Sequence, residues 1–298
     1  MAKIEASVII PAFNAQQTIE NCVRSALKNP GDNFEVIVVN DCSQDATGQI
    51  LGAIKDKRLR CLYNSVNRGA SFARNRGIKN SQGDIVILLD ADSFVEQDWV
   101  KQHLEAHKNI PASIIGGGVK GVAKTVWGKC DGFCNWWVCI PNSKNCYIRK
   151  LHLRTNNLSI KREVFAKIGY LNENLKTGED AEFCFRALQN GQKIFLKSDL
   201  LVFHHDKDSF KDFLRHQAAW GKHALKMRKD TNMDFSWLMP KSKLAAYLSI
   251  PHLSVLYTGF IILKWIRYDI AILWLWPLIL LGKIAQAESI AQSFNSVS

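Results

Sequence analysis

Two aspartates, Asp90 and Asp92, close the stretch GDIVILLDADS, just past a short apolar run from Asp84 to Leu89. Branched side chains bounded by Gly83 and by acids predict a buried strand that ends in carboxylates. Paired carboxylates at such a point repel each other, and a hard cation with oxygen ligands suits them. A polar turn after a core strand is the other reading of Asp-Ala-Asp taken alone. A second acidic pair, Glu179 and Asp180, opens a helical pattern. Thr177-x-x-Asp180 has the spacing of a capping box, and the helix dipole favours acids in that turn. A carboxylate held there could also take a proton from a hydroxyl within hydrogen-bond reach. Arg74, in ARNRGI, can give two parallel charge-assisted hydrogen bonds to a diphosphate, whereas Arg68 and Arg76 read as solvated surface charges. His204 and His205 end the apolar strand LLVFHH; successive strand residues face opposite sides, so one of the two turns away from any site.

These side chains need a frame that gathers strand ends. From residue 6 short apolar runs alternate with helical patterns: ASVII then Thr18 to Lys28, FEVIVV then Ala46 to Ile54, LRCLY then Ala70 to Asn80, DIVILL then Trp99 to His107. That alternation predicts a parallel sheet covered by helices, with ligands beyond the carboxyl ends of the strands. The residues at those ends are Pro11 to Asn14, Asn40 and Asp41, Asn67 to Gly69, and Asp90 to Ser93. Neither a G-x-x-x-x-G-K-[ST] loop nor a G-x-G-x-x-G turn follows the first strand, which disfavours a P-loop nucleotidase and an ordinary dinucleotide oxidoreductase.

IIPAFNAQQTIENCVRSAL, VIVVNDCSQDAT, NRGASFARNRGI and GDIVILLDADS, one at each of four successive strand ends, resemble the family-2 glycosyltransferases, which have the GT-A fold. Thr155 to Asp180, TNNLSIKREVFAKIGYLNENLKTGED, resembles that family's acceptor-side segment, and the likeness runs on through Gly191, Leu200 to His205 and Phe213 to Arg228. The fold class so implied is α/β: a GT-A type, Rossmann-like, mostly parallel sheet covered by helices, followed by an apolar helical segment associated with the membrane. The expected division is a catalytic domain over 1–230, with a nucleotide-sugar half (1–110) and an acceptor-side half (111–230), then a hydrophobic region over 231–298.

The resemblance also implies roles. Asp92 binds a divalent metal, Mn²⁺ or Mg²⁺, on the diphosphate of a nucleotide-sugar donor, and Asp90 contacts the ribose side. A diphosphate needs that charge neutralisation, and carboxylates plus phosphate oxygens can hold such an ion. Pro11, Ala12 and Asn14 lie against the nucleotide, and Arg74 faces its diphosphate. Asp41 lies near the base, although Asn40 stands where many members have a second acid; an Asp-Cys-Ser turn folded on its own backbone is the lesser alternative for Asp41. Asp180 is the base that deprotonates the acceptor hydroxyl, with Glu179 beside it. One histidine of the pair reaches the metal, His204 rather than His205, and an imidazole suits Mn²⁺ better than Mg²⁺. Trp220, with Gln217 and Gly221 in RHQAAWGKH, and Trp137, in the aromatic stretch from Val126 to Tyr147, are acceptor-side residues; packing is the plainer account of Trp220, and a cap on the core accounts equally for Trp137.

With 39 Lys plus Arg against 27 Asp plus Glu, the net charge of +12 favours an anionic partner. The basic residues gather toward the C-terminal end rather than among base-stacking aromatics, which points away from nucleic acid. MAKIEASVII lacks the pattern of a cleaved signal, so no export is expected and the eight cysteines belong in a reducing compartment. Cys130, Cys134, Cys139 and Cys146 crowd one segment without paired C-x-x-C spacing, which weakens a structural metal there. Leu244 to Leu263 and Ile270 to Gly282 are apolar stretches interrupted by Pro251, His252 and Pro277. A two-span hairpin would carry Lys264 and Arg267 to the far side, against the positive-inside tendency. The expectation is therefore peripheral attachment to the cytoplasmic face of the cell membrane, monotopic or as a short hairpin. Trp265, Trp274 and Trp276 would lie at headgroup depth, and Lys222 to Lys229 and Lys241 to Lys243 would meet anionic lipid. The partners expected are a nucleotide-sugar donor and a lipid-linked or glycan acceptor. A sugar-phosphate nucleotidyltransferase, or a nucleotide-sugar binding protein without turnover, are the competing functions.

Overall fold

The computed structural model describes residues 3–150, 152–231 and 240–294. The chain forms two compact units, Met1–Val119 with Pro141–His204, and Lys120–Ile140 with His205–Ser298. In the first unit the alternating apolar runs become β1 (Ala6–Ala12), β2 (Phe34–Asn40), β3 (Leu59–Tyr63) and β4 (Ile85–Leu89), separated by α1 (Ile19–Leu27), α2 (Thr47–Ala53) and α3 (Ala70–Lys79). All four strands pair in parallel in the order β3-β2-β1-β4, with Val8 opposite both Val36 and Ile87. β2 and β4 are buried along their whole lengths, as continuous apolar runs in the middle of a covered sheet require.

Beyond β4 the direction of pairing changes. The chain continues through β5 (Ser93–Val95), α4 (Trp99–Asn109), β6 (Ile114–Gly121), β7 (Cys146–Ile148), β8 (Asn157–Lys161), α6 (Arg162–Ile168), α7 (Glu179–Gln189) and β9 (Ile194–His204). Among the described residues these complete a nine-stranded sheet ordered β3-β2-β1-β4-β8-β6-β9-β5, with β7 on β9. β8 runs antiparallel to β4 and β5 antiparallel to β9. The first of these pairings brings the segment before β8 alongside the end of β4. The second sets Ser93, one residue past the Asp-Ala-Asp turn, opposite His204. Residues from β1, β2, β4, β5, β9, α1 and α4 share one apolar core, among them Ile10, Phe34, Ile87, Trp99 and Val202. A fully buried side chain of this kind contributes about 1.5–3 kcal/mol.

The second unit holds α5 (Val126–Trp136), α8 (Phe210–Thr231), α9 (Lys243–Trp265) and α10 (Ile272–Ser293). α10 crosses α8 closely at glycine: a Cβ on Gly282 would lie 2.4 Å from the Phe213 ring. The interior also holds a polar cluster. Asp131 accepts from His216 Nδ1 at 2.9 Å and from Gln217 at 3.2 Å, and Lys283 donates to Gln217 at 2.8 Å and Gln286 at 3.0 Å.

The folded chain departs from the sequence-based expectations in several places. Pro251 and Pro277 lie inside continuous α9 and α10 rather than interrupting them. Proline removes one intrahelical hydrogen bond, a loss that packing along the rest of a long helix can absorb. α9 is long and apolar enough to cross a membrane by length and composition. Trp265 is buried, edge-on to Phe133 and donating to its carbonyl at 3.0 Å, so it is a core residue and not a headgroup anchor. Trp274, at 80% exposed, does project outward. Most of the basic run Lys222 to Lys229 lies outside the residues whose side chains are described; Lys241 and Lys243 are exposed. Cys130, Cys134 and Cys139 are buried and form no disulfide, and burial pushes the first two thiols up to about 12 and about 11. Among the described residues no group of three or more His, Cys, Asp or Glu converges to hold an ion.

Candidate active site

All ten donor-side, metal and catalytic candidates fall in the sheet-bearing unit: Arg74 on α3, and the others at the carboxyl ends of its strands or at the start of α7. At the end of β1, Ala12 is buried and its carbonyl accepts from the Asp41 amide at 2.8 Å, while Pro11 is partly exposed. Asn14 turns the chain with φ +48° and clasps the loop after β2: its amide donates to Ser43 Oγ and its side chain accepts from the Gln44 amide, both at 2.9 Å.

Asp41 is buried and receives four hydrogen bonds, from Asn64 Nδ2, twice from the Arg68 amide and, at 2.7 Å, from the Gly69 amide. It thus ties the loop that starts α3 to the end of β2. The local turn anticipated at Asp41 forms instead on Asn40, whose Oδ1 accepts from the Ser43 amide at 2.9 Å. Arg76 is not a free surface charge, since it donates to the Tyr63 carbonyl at 2.7 Å. Arg68 is half exposed, over the Phe72 ring.

Arg74 is the centre of the site. It is only 4% exposed, and its two terminal nitrogens go to different carboxylates: Nη2 to Asp90 Oδ1 at 2.6 Å and Nη1 to Glu179 Oε1 at 2.8 Å. The strand-end aspartates and the α7 acids, far apart in the chain, are thereby joined through one guanidinium. Burial pulls the Arg74 pKa down, but the charges of Asp90 and Glu179 outweigh it and leave the group above its ordinary value. Glu179 moves the other way for a carboxylate: burial raises it more than Arg74 lowers it, and Asp180 and Asp90 raise it further.

Asp180 follows in the first turn of α7. Gly178 caps this helix with φ +83°, a conformation that glycine adopts without strain, so Thr177 is not the cap and no capping box forms. Asp180 accepts instead from the Ala181 amide at 2.8 Å and from Arg154 Nη1 at 3.2 Å, with His152 Nε2 at 4.0 Å. Burial pushes its carboxyl up, yet His152, Arg154 and the amide hold it below the ordinary value. His152 and Arg154 were not among the residues singled out from the sequence. Their signal was two basic side chains directly before the Thr155 segment.

Asp92 Oδ1 lies 3.2 Å from His204 Nε2. Strand alternation decides between the two histidines: along β9, Leu200, Val202 and His204 share the buried face, and His204 is the one brought to Asp92. A carboxylate and an imidazole at a strand end fit Mn²⁺ or Mg²⁺ as a partial set, to be completed by diphosphate oxygens and water. Trp137 and Trp220 belong to the helical unit, where Trp137 packs edge-on to Phe260 at 5.0 Å and Trp220 lies 6.2 Å from the His216 ring.

The sequence pattern of glycosyl transferase family 2 matches residues 7–166. The chain belongs to that family. This glycosyltransferase is 27% identical over 223 residues to glycosyltransferase AglE of Haloferax volcanii, covering 72% of this chain and 71% of the relative. It is 23% identical over 265 residues to a Methanococcus voltae enzyme named dolichyl N-acetyl-alpha-D-glucosaminyl phosphate 3-beta-D-2,3-diacetamido-2,3-dideoxy-beta-D-glucuronosyltransferase, covering 82% and 80%. Among solved structures it superposes on the Pyrobaculum calidifontis mannosyltransferase PcManGT, in complex with GDP-Man and Mn²⁺, with a TM-score of 0.63 at 15% identity, over 97% of this chain and 88% of that one. The α/β fold of the glycosyltransferase is thus GT-A, as its strand-end motifs imply.

Proposed function

We propose that this glycosyltransferase moves one sugar from a nucleotide-sugar donor to a hydroxyl of a lipid-linked or polysaccharide acceptor, with inversion at the anomeric carbon, in cell-surface glycan synthesis. The observation that carries the reading is the bridge from Asp90 through Arg74 to Glu179, which sets Asp180 in one site with the strand-end aspartates. Asp180 takes the proton of the acceptor hydroxyl as its oxygen bonds to the anomeric carbon. The bond from that carbon to the donor's phosphate oxygen breaks, and its electron pair leaves with the nucleoside diphosphate. Asp92 and His204 would hold a divalent cation that neutralises the departing diphosphate. Asp90 serves the ribose side. Pro11, Ala12, Asn14 and the Asp41 loop shape the nucleotide cleft. Arg74 serves the diphosphate side beside Asp90: each terminal nitrogen gives one hydrogen to a carboxylate and keeps a second.

Release of UDP, GDP or TDP from a panel of nucleotide sugars, with Mn²⁺ or Mg²⁺ added, tests the activity and names the donor. In Asp92→Ala the release is expected to fall and donor binding to become insensitive to chelator. Chelator-sensitive donor binding in that variant would remove Asp92 from the metal site.

The active unit is assigned to the cytoplasmic membrane face, with residues 231–298 as the attachment region. Supporting this are the exposed Leu244, Leu248, Leu263, Ile270 and Trp274 of the α9 and α10 region, flanked by exposed Lys241 and Lys243. Such helices lie in the interface when an apolar face adjoins cations. Full-length chain should cosediment with vesicles containing phosphatidylserine more than with phosphatidylcholine alone, and Leu263→Ser with Trp274→Ser should weaken both. Equal sedimentation of the double variant would assign the apolar face another purpose.

A further inference from the structure

The proton that Asp180 receives at each turnover must leave again, and Asp180 itself is sealed: its side chain is 6% exposed and that of Arg154 is 9% exposed. The Nε2 of His152 is buried 4.0 Å from the same Asp180 oxygen that Arg154 holds, and 18% of the His152 side chain is exposed, more than of either partner. The chemistry favours passage in that direction. An imidazole is ordinarily more basic than an aspartate by about 2.6 pKa units. Arg154 and the Ala181 amide both stabilise the ionised carboxylate, so a proton on Asp180 is readily passed on.

We propose that His152 is a relay residue that accepts the reaction proton from Asp180 and returns it to solvent, with Arg154 fixing the carboxylate between acceptor and imidazole. The inference rests on Asp180 being the base. The acceptor O–H bond breaks toward an Asp180 oxygen, the neutral His152 Nε2 then takes that proton across one bridging water or after a small ring rotation, and the imidazolium gives it to bulk water. Asp180 is again ionised and no other reactant is consumed. Among the described residues, the charged and titratable groups near the pair include Glu179 and Glu182 on α7, the latter held by Arg186. Behind Glu179 stand Arg74 and Asp90, and beside the segment lie Arg154 and the Cys184 thiol, 3.8 Å from the Leu153 carbonyl. Of these groups, histidine alone has an ordinary pKa between pH 5 and 8.

The test uses full-length chain, His152→Asn, His152→Gln and Asp180→Asn, each checked for a cooperative unfolding transition. With the donor found by the nucleotide-sugar panel, both His152 variants are expected to lose roughly tenfold to hundredfold in kcat with the donor KM unchanged. The fall in kcat on the acid side, set in the wild type by protonation of His152, should move to lower pH in both. Independently of turnover, NMR titration of the His152 ring should give a lower pKa in Asp180→Asn than in the wild type, because the neighbouring anion has gone. An unchanged kcat and acid limb in both His152 variants would overturn the relay while leaving Asp180 as base, provided Asp180→Asn is inactive. Wild-type transfer by Asp180→Asn would remove the base assignment, and the relay with it. A ring pKa indifferent to Asp180→Asn would overturn the pairing directly.

Discussion

Asp180→Asn should abolish nearly all sugar transfer, by about 10²–10⁴-fold, while donor binding survives. Asparagine keeps the size of the side chain and its carbonyl can still accept from the Ala181 amide and Arg154, so the start of α7 stays in place. What disappears is the only thing the reaction needs from this position, a group that can take a proton as the acceptor oxygen attacks. The donor side is untouched, since Asp90, Asp92 and His204 are held by other contacts. Stability should also fall at neutral pH. A carboxyl whose folded pKa lies below its unfolded value of 3.8 stabilises the folded chain above that value and loses the contribution as pH falls through the lower folded value. The variant lacks this contribution, so the gap between its unfolding midpoint and the wild type's should narrow on acidification below pH 4. Nucleoside diphosphate release, donor titration and unfolding curves at two pH values check the three parts. A variant that transfers at the wild-type rate would leave Asp180 a purely structural acid.

How far such a site can be read from sequence depends on the range of the interactions that make it. The first four strands were legible because each is a local signal: an apolar run, a turn former and a helical period within a few tens of residues. The strand-end aspartates and Glu179–Asp180 were legible for the same reason. Their connection was not. Arg74 read naturally as a diphosphate ligand because nothing near it in sequence competes for its nitrogens; its partner Glu179 lies 105 residues away. His204 is preferred over His205 from the sequence alone, and the pairing of β5 with β9 sets it opposite Ser93. Arg154 and His152 carry no motif, and they matter because β8 pairs antiparallel with β4 and brings its leading segment to α7. Trp265 looked like an interfacial anchor by composition, and only the packing of Phe133 against it makes it core.

Arg74→Met should cost about 3–5 kcal/mol of stability and most of the activity, and the stability cost should depend on pH. Methionine fills much of the same volume, so the loss is electrostatic rather than a cavity. Without the guanidinium, Asp90 and Glu179 face each other as carboxylates, and among the described residues no second Lys or Arg forms an ion pair with either. Glu179 is already held above the ordinary 4.5 by burial and by its acidic neighbours, with Arg74 opposing them. Removing that opposition raises it further. A carboxyl with a raised folded pKa binds its proton in the folded chain first, so Arg74→Met should regain stability as pH falls through the raised value toward 4.5, where the wild type gains less. Adding Glu179→Gln to Arg74→Met removes one of the two charges and should restore a large part of the lost stability at pH 7, although not the activity, because Asp90 and the start of α7 are no longer tethered. The comparison separates a strut from a donor ligand. If Arg74 mainly bound diphosphate, the unliganded variant would unfold at the wild-type midpoint and lose only donor affinity. If it joins the two acidic pairs, the unliganded protein is where the damage is seen, and Glu179→Gln is what repairs it.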